Sequence, residues 1–289
     1  MMKREALTLV EVLVIVAITA LLITILIAAL ARPPMSDMEL CAAQLKGIGT
    51  AIATYANENA QVWPLPTFDA EATIQYVGMI GKPAGPNGTA PTVASDTAST
   101  ALSTTRCLWM LVLNGSCVPG WFICPASKDA KNTVLDPENY YDFASYTEIS
   151  YGLQVPWSET ARPTTDRDPR MPLAADKGPF GAADTGDGGL GPKPEVDLAN
   201  IHLSPSEWQA SGLNSPNHGG FGKGEGQNIL YADFHVEFIK NPIDGIGRDN
   251  IYTAWETADA SQDQIIKGNG PAKGNDHVPM GDTDTLIYP

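Results

Sequence analysis

Basic side chains are scarce in this chain of 289 residues: 18 lysines and arginines stand against 33 aspartates and glutamates, for a formal charge of −15. So acidic a surface argues against a nucleic-acid partner and against a polybasic grip on anionic lipid. Cysteine is sparse too, and none of Cys41, Cys107, Cys117 and Cys124 forms a Cys-x-x-Cys pair, the spacing of many zinc and redox sites. The chain lacks a phosphate-binding glycine loop, a zinc-protease helix, and a nucleophile placed beside a base. Nothing in it specifies an enzyme, and none is expected. What it does have is frequent glycine and proline together with six tryptophans and nine tyrosines, the composition of a folded but loop-rich domain.

One stretch is missing charge altogether. Leu7 to Ala31 is apolar except for Thr8, Thr19, Thr24 and a single carboxylate, Glu11. From Val12 onward about twenty residues carry no charge, which as a helix would span roughly 30 Å, the thickness of a bilayer's hydrocarbon core. Lys3 and Arg4 precede the run, so the N-terminus is expected in the cytoplasm and the rest of the chain outside it. A carboxylate at such a place costs on the order of 2.5–3.5 kcal/mol and persists where it has a partner. An ordinary signal peptide ending at Ala29-Leu30-Ala31, or a plain single-pass anchor, are the rival readings. The run is longer than a usual signal core, and a plain anchor has no need of Glu11.

With its flanks, the segment resembles the N-terminus of type IV pilins and type II secretion pseudopilins. In that family a prepilin peptidase cuts a short basic leader, the new N-terminus is often methylated, and a glutamate stands five positions on. Here the leader would end at Ala6, Leu7 would become the first residue, and Glu11 would be the fifth. Ala6 stands where glycine is usual, and Leu7 where phenylalanine is usual. The resemblance implies that Leu7's α-ammonium on one copy meets Glu11 of the next, so assembly satisfies both charges. Losing residues 1–6, which carry Lys3, Arg4 and Glu5 (net +1), takes the charge from −15 to −16.

Beyond Arg32-Pro33-Pro34, which should bend or interrupt a helix, Ser36 and Glu39 form a capping-box pattern. Cys41, Leu45, Ile48, Ile52 and Tyr55 then draw one apolar stripe, predicting a helix to about Asn59 that docks on a sheet. The run Glu39 to Tyr55, then Trp63-Pro64, Phe122-Ile123-Cys124-Pro125, Met171-Pro172-Leu173-Ala174-Ala175-Asp176, and His218 followed by Asp233, resembles in order the planctomycete-type branch of the family, named for its C-terminal His…Asp-Gly signature. The likeness spans most of residues 7–240. It implies a pilin-like α+β fold: one long N-terminal transmembrane helix whose outer half, residues 32–60, packs on an antiparallel β-sheet head over 61–289. Residues 81–105 and 156–206 read as long loops, and a short helix is predicted near Ala254–Ile266.

Asn228 to Ile239 reads as a hairpin, with Phe234, Val236 and Phe238 alternating with His235 and Glu237. Relatives turn on Asp-Gly; here Phe234 follows Asp233, so a turn longer than two residues, or a bulge, is expected. For Asp176, His218, Asp233 and His235 two readings stand: a converging metal or catalytic cluster, or hydrogen bonds that fix the hairpin and its glycine loop. The residue pattern favours the second, and no catalytic or metal site is assigned. Four cysteines in an exported domain suggest two disulfides; the expected pairing is Cys107 with Cys117 and Cys41 with Cys124, with buried thiols as the alternative. No resident cofactor is expected. The resemblance raises calcium, for which Asp184 and Asp187, or Asp282 and Asp284, offer oxygens without the EF-hand spacing.

The reading reached from sequence is a membrane-inserted structural subunit of a secretion or pilus-like filament, located in the bacterial inner membrane with its head outside the cytoplasm. Its implied partners are prepilin peptidase, copies of itself, other pseudopilins and an inner-membrane assembly platform. A signal-bearing or anchored binding protein or metal-dependent enzyme is the alternative.

Overall fold

The computed structural model describes residues 9–30, 36–66, 73–74, 101–180 apart from 103, 132, 134–136, 138–139, 141, 144–145, 159, 161 and 165, then 204–219, 224–268 and 278–288. Two units result, Met1–Ser36 and Asp37–Pro289. In the first, helix α1 (Leu9–Leu30) is apolar on every side. Leu9, Leu13, Val16, Leu21 and Ile23 are all more than half exposed. Thr19 and Thr24 turn their hydroxyls back onto the carbonyls of Ile15 and Leu21, at 2.9 and 2.7 Å, so these two hydroxyls are satisfied within the helix. Among the described residues, no helix is long and apolar enough to cross a membrane. The proposed processing residues Ala6 and Leu7 lie outside the described residues.

Helix α2 (Asp37–Glu58) opens the second unit and buries Cys41, Leu45, Ile48, Gly49, Ala51, Ile52 and Ala56 along one face. Here the expected pilin-like fold needs correction. Among the described residues no long apolar N-terminal helix of the transmembrane kind is present: α1 covers Leu9–Leu30 with its described side chains, residues 9–24, exposed, while α2, with α3, packs on the sheet of the second unit. The reason is in the side chains. A helix apolar all round has no distinct stripe to seat on a sheet, whereas α2 has one apolar stripe and a polar back. Between them fall Pro33 and Pro34, which remove two backbone donors from any continuous helix.

The sheet is antiparallel and five-stranded. A two-residue parallel bridge, β1 (Thr73–Ile74) with β2 (Ala101–Leu102), stands apart from it. After α3 (Thr104–Leu113) and the tight turn Pro119–Phe122 come β3 (Tyr151–Gln154), β4 (Pro172–Asp176), helix α4 (Pro205–Ser211), β5 (Gln227–Tyr231), β6 (Val236–Ile239), helix α5 (Gln262–Lys267) and β7 (Ile287–Tyr288). The strand order is β6-β5-β4-β3-β7. β3, β4 and β5 are buried on both faces, which is why Leu173-Ala174-Ala175 and Ile229-Leu230-Tyr231 read as apolar runs instead of alternating. Pro172 is tolerated because it is the first residue of its strand, beside a register shift. Trp109 of α3 closes the core edge-on to Phe143 at 4.9 Å, and Phe143 meets Phe122 the same way at 5.2 Å.

The predicted stripe on α2 and the hairpin are both observed. Tyr231 and His235 close the hairpin, so it turns on Ala232, Asp233 and Phe234, one residue longer than an Asp-Gly turn. Phe234 takes the left-handed conformation at φ 64°, an arrangement costing about 1–2 kcal/mol for a residue with a Cβ. What holds it there is α2: Lys46 donates to the Phe234 carbonyl, and the Phe234 ring lies over Gly49. A Cβ on Gly49 would come within 3.0 Å of Leu230 and 3.1 Å of Phe234.

Gly49→Leu should therefore force α2 off β5 and the hairpin. We expect a loss of about 1–3 kcal/mol of stability, read as a lower urea midpoint of the full chain in detergent; an unchanged midpoint would mean that the close approach does not constrain the fold.

Candidate functional site

β4 ends on Asp176, and its carboxylate, fully buried, is where four segments of the head meet. Asp176 pairs with Tyr151 across the β3–β4 ladder, and directly opposed residues share a face of the sheet. That face lies against α2, because Tyr151 donates from its hydroxyl to Gln44 at 2.7 Å and to the Cys41 sulfur at 3.3 Å. The Cys41 thiol in turn donates to Asp176 Oδ1 at 3.0 Å. From the segment before β5, His218 Nε2 reaches Asp176 Oδ2 at 3.0 Å, and from the turn after Phe122 the Cys124 sulfur stands 3.7 Å from the same nitrogen.

The four ligand-type atoms of Cys41, Cys124, Asp176 and His218 all lie within 4.8 Å of one another. Behind them, amides hold the carboxylate in place. Asn217 Nδ2 donates to Oδ1 at 3.0 Å and to the Ser150 carbonyl at 2.7 Å, while the Asn228 backbone N–H donates to Oδ2 at 2.7 Å. Phe238 closes one side of the imidazole edge-on at 5.6 Å. Cys41, Cys124 and Asp176 are shut off from solvent, whereas His218 also lines an open cleft of about 690 Å³ with Asp37, Pro125, Gln209 and Glu225.

The electrostatics follow from that burial. Desolvation, the hydrogen bond with Cys124 and the Asp176 charge push the Cys41 thiol far up. The hydrogen bond with Cys41, against burial and helped by His218, holds the Cys124 thiol down. Burial pulls the His218 imidazole down, but hydrogen bonds to Asp176 and Cys124 outweigh it and hold it up at about 10.

A cysteine, a histidine and an aspartate together invite comparison with a nucleophilic triad. In a triad the imidazole turns one nitrogen to the nucleophile and the other to the orienting acid. Here a single nitrogen, Nε2, faces both Asp176 and Cys124. The groups converge on one point instead of forming a relay.

Of the residues singled out from sequence, Asp176 and His218 are brought together, while Asp233 and His235 are elsewhere. Those two sit half-exposed at the hairpin tip, where Asp233 Oδ1 accepts from the His235 backbone at 3.0 Å and from its Nδ1. The His235 ring stacks on Tyr231 at 4.3 Å. The expected disulfides also need correction: all four cysteines are free and buried. Cys41 and Cys124 do meet, as the proposed long-range pair, but each sulfur is engaged by Asp176, Tyr151 or His218 instead of by the other in a covalent bond. Cys107 lies within α3 and Cys117 in the turn that follows it. The sequence reading did not join the two cysteines to Asp176 and His218; the chain separations of 135 and 94 residues hide that meeting.

Of the calcium candidates, Asp184 and Asp187 lie outside the described residues, and Asp282 is exposed. Asp284 is fully buried; its Oδ2 accepts from the backbone of Met280 at 2.7 Å and of Trp255 at 3.0 Å. It lies close to a second buried carboxylate, Asp249, which takes 2.7 Å bonds from Trp255 Nε1 and from the Thr285 backbone. Burial, then the charge of Asp284, pushes Asp249 well up, and burial raises Asp284 to about 6 despite its backbone donors.

Raised folded-state values mean that between about pH 4 and pH 6 the native state binds more protons than the unfolded one, so stability from this pair is lost as pH rises through about 6. Asp284→Asn should flatten that part of the curve. The difference in thermal midpoint between pH 4.5 and 7.5 is expected to shrink by several degrees relative to the unaltered chain, and parallel curves would refute the coupling.

In comparisons with known proteins, no family model, no curated protein and no solved structure matches the chain.

Proposed function

We propose that this protein is a non-catalytic assembly subunit, pseudopilin-like in its working, which polymerises through its N-terminal helix into a type II secretion or type IV pilus-like filament. The observation that carries the reading is α1. Its side chains from Leu9 to Thr24 are exposed and almost all apolar, on every face. The head meanwhile has a closed core of its own, built from α2, α3 and the sheet. A helix apolar all round requires a covering that water cannot give. Held at the bacterial inner membrane it is covered by lipid; in a filament it is covered by the same helix of neighbouring copies.

Glu11, in the first turn of α1, sets the register in this reading. Prepilin peptidase cuts after Ala6, and the freed α-ammonium of Leu7 on the adjoining copy meets that carboxylate. An inner-membrane platform and other pseudopilins complete the partner set, and the acidic head works outside the cytoplasm. No step of this activity calls for chemistry in the head.

Three results test it. The native chain should begin at Leu7 by mass spectrometry; one that keeps Met1, or begins at Arg32, contradicts the processing. A photo-cross-linking residue at Leu13 should give a ladder of oligomers in native membranes, whereas monomer alone argues against assembly through α1. Glu11→Leu should insert normally yet lower filament yield at least about tenfold, the consequence of losing ~1.4 kcal/mol per subunit contact.

A further inference from the structure

We propose that Cys41, Cys124, Asp176 and His218 form a structural zinc site that bolts α2 to the sheet. The argument begins with donor type. Two thiols, one imidazole and one carboxylate are the ligands that zinc accepts, and four of them close a tetrahedron with no position left for a substrate. Spacing comes next. Bonds of about 2.0–2.3 Å at tetrahedral angles put ligand atoms about 3.3–3.8 Å apart. The separations here are 3.0 Å from Cys41 to Asp176 Oδ1, 3.0 Å from His218 to Asp176 Oδ2 and 3.7 Å from Cys124 to His218, and one ligand atom from each of the four residues lies within 4.8 Å of the other three. These separations bracket the tetrahedral spacing.

The surroundings are those of a metal ligand set. Two of the ligands are held by outer groups: Asn217 and the Asn228 backbone hold Asp176, and the Tyr151 hydroxyl holds the Cys41 sulfur. Such outer contacts orient ligands and raise affinity. Without an ion, the fold places a carboxylate, an imidazole and two sulfurs in one solvent-poor point, an arrangement that is costly unless the charges are neutralised. An ion of charge two offsets two of the three negative charges of the carboxylate and the two thiolates, once the thiols and the imidazolium have released their protons to solvent. His218, at the open cleft, gives the ion a way in. The ligands come from α2, from the turn after Phe122, from the end of β4 and from the segment before β5, so one ion crosslinks four distant parts of the chain. Zinc also holds both sulfurs in a redox-inert state.

This inference concerns the head alone and stands whether or not α1 assembles. The test uses the full chain in detergent. Metal analysis of the purified protein should give about one zinc per chain, and zinc-edge absorption should report two sulfur and two nitrogen or oxygen neighbours. Replacing zinc by cobalt(II) should produce thiolate-to-cobalt charge-transfer bands and the intense visible bands of a tetrahedral ion. Cys124→Ser, which leaves Cys41 as the one thiolate, should lower the charge-transfer intensity, and Cys41→Ser combined with Cys124→Ser should abolish it, while Cys117→Ser leaves the bands intact. Asn217→Ala, which keeps all four ligands, should weaken zinc binding by about 10–100-fold. If Cys124→Ser does not fold, the zinc content and cobalt spectrum of the unaltered chain still decide the matter. A protein that neither retains zinc nor takes up cobalt would overturn the proposal. So would a mass lower by two hydrogens with a Cys41–Cys124 disulfide, or charge-transfer bands undiminished by Cys124→Ser.

Discussion

A single carboxylate, cut off from water at the end of β4, organises the head. Asp176 accepts from the Cys41 thiol, the Asn217 amide and the Asn228 backbone, and it is paired with His218. A buried charge of this kind is stable only when every lone pair has a donor, because the desolvation cost is several kcal/mol and must be offset locally. The position of α2, the turn that carries Asn217 and His218, and the start of β5 are therefore mutually fixed. Moving any one of them strips a partner from a group that cannot reach solvent.

Around that polar centre the apolar contacts set distances more than directions. Gly49 lets α2 come close to Leu230 and Phe234, and the left-handed Phe234 is held by the helix it covers. On the far side of Asp176, the next residue is Lys177, whose ammonium is buried with Asp129 at 2.8 Å and also donates to the carbonyls of Ile149 and Tyr146. Two adjacent charged residues of opposite sign are thus each saturated by different segments. β4 and the turns beside it are stitched together by ionic hydrogen bonds as well as by packing.

The two units differ in what they need from their surroundings. The head closes its own core and pairs Asp176 and Lys177 internally, apart from what an ion at the cysteine–histidine–aspartate centre would add. Helix α1 turns its Thr19 and Thr24 hydroxyls onto its own carbonyls and exposes its apolar side chains. The packed core belongs to the head, and the apolar surface exposed on every side belongs to α1.

Sequence alone determined the elements whose physics is local. The stripe from Cys41 to Tyr55 specified α2, because spacing of three and four residues on a helix leaves one face for burial whatever lies opposite. The alternation after Asn228 specified a hairpin, and the absence of glycine after Asp233 pointed to a turn longer than two residues, although Phe234 still takes a positive φ because α2 holds it there. The uninterrupted apolar run specified an N-terminal helix. The sequence did not specify that the last strand, Ile287–Tyr288, returns to the edge of the sheet beside β3, because a two-residue strand has no period to read. The chemistry of the centre was decided by tertiary structure alone. Asp176 and His218 stood out by type, yet their true companions were Cys41 and Cys124 instead of Asp233 and His235. Convergence at a point is set by how sheet and helix stack in three dimensions, and separation along the chain carries no trace of it.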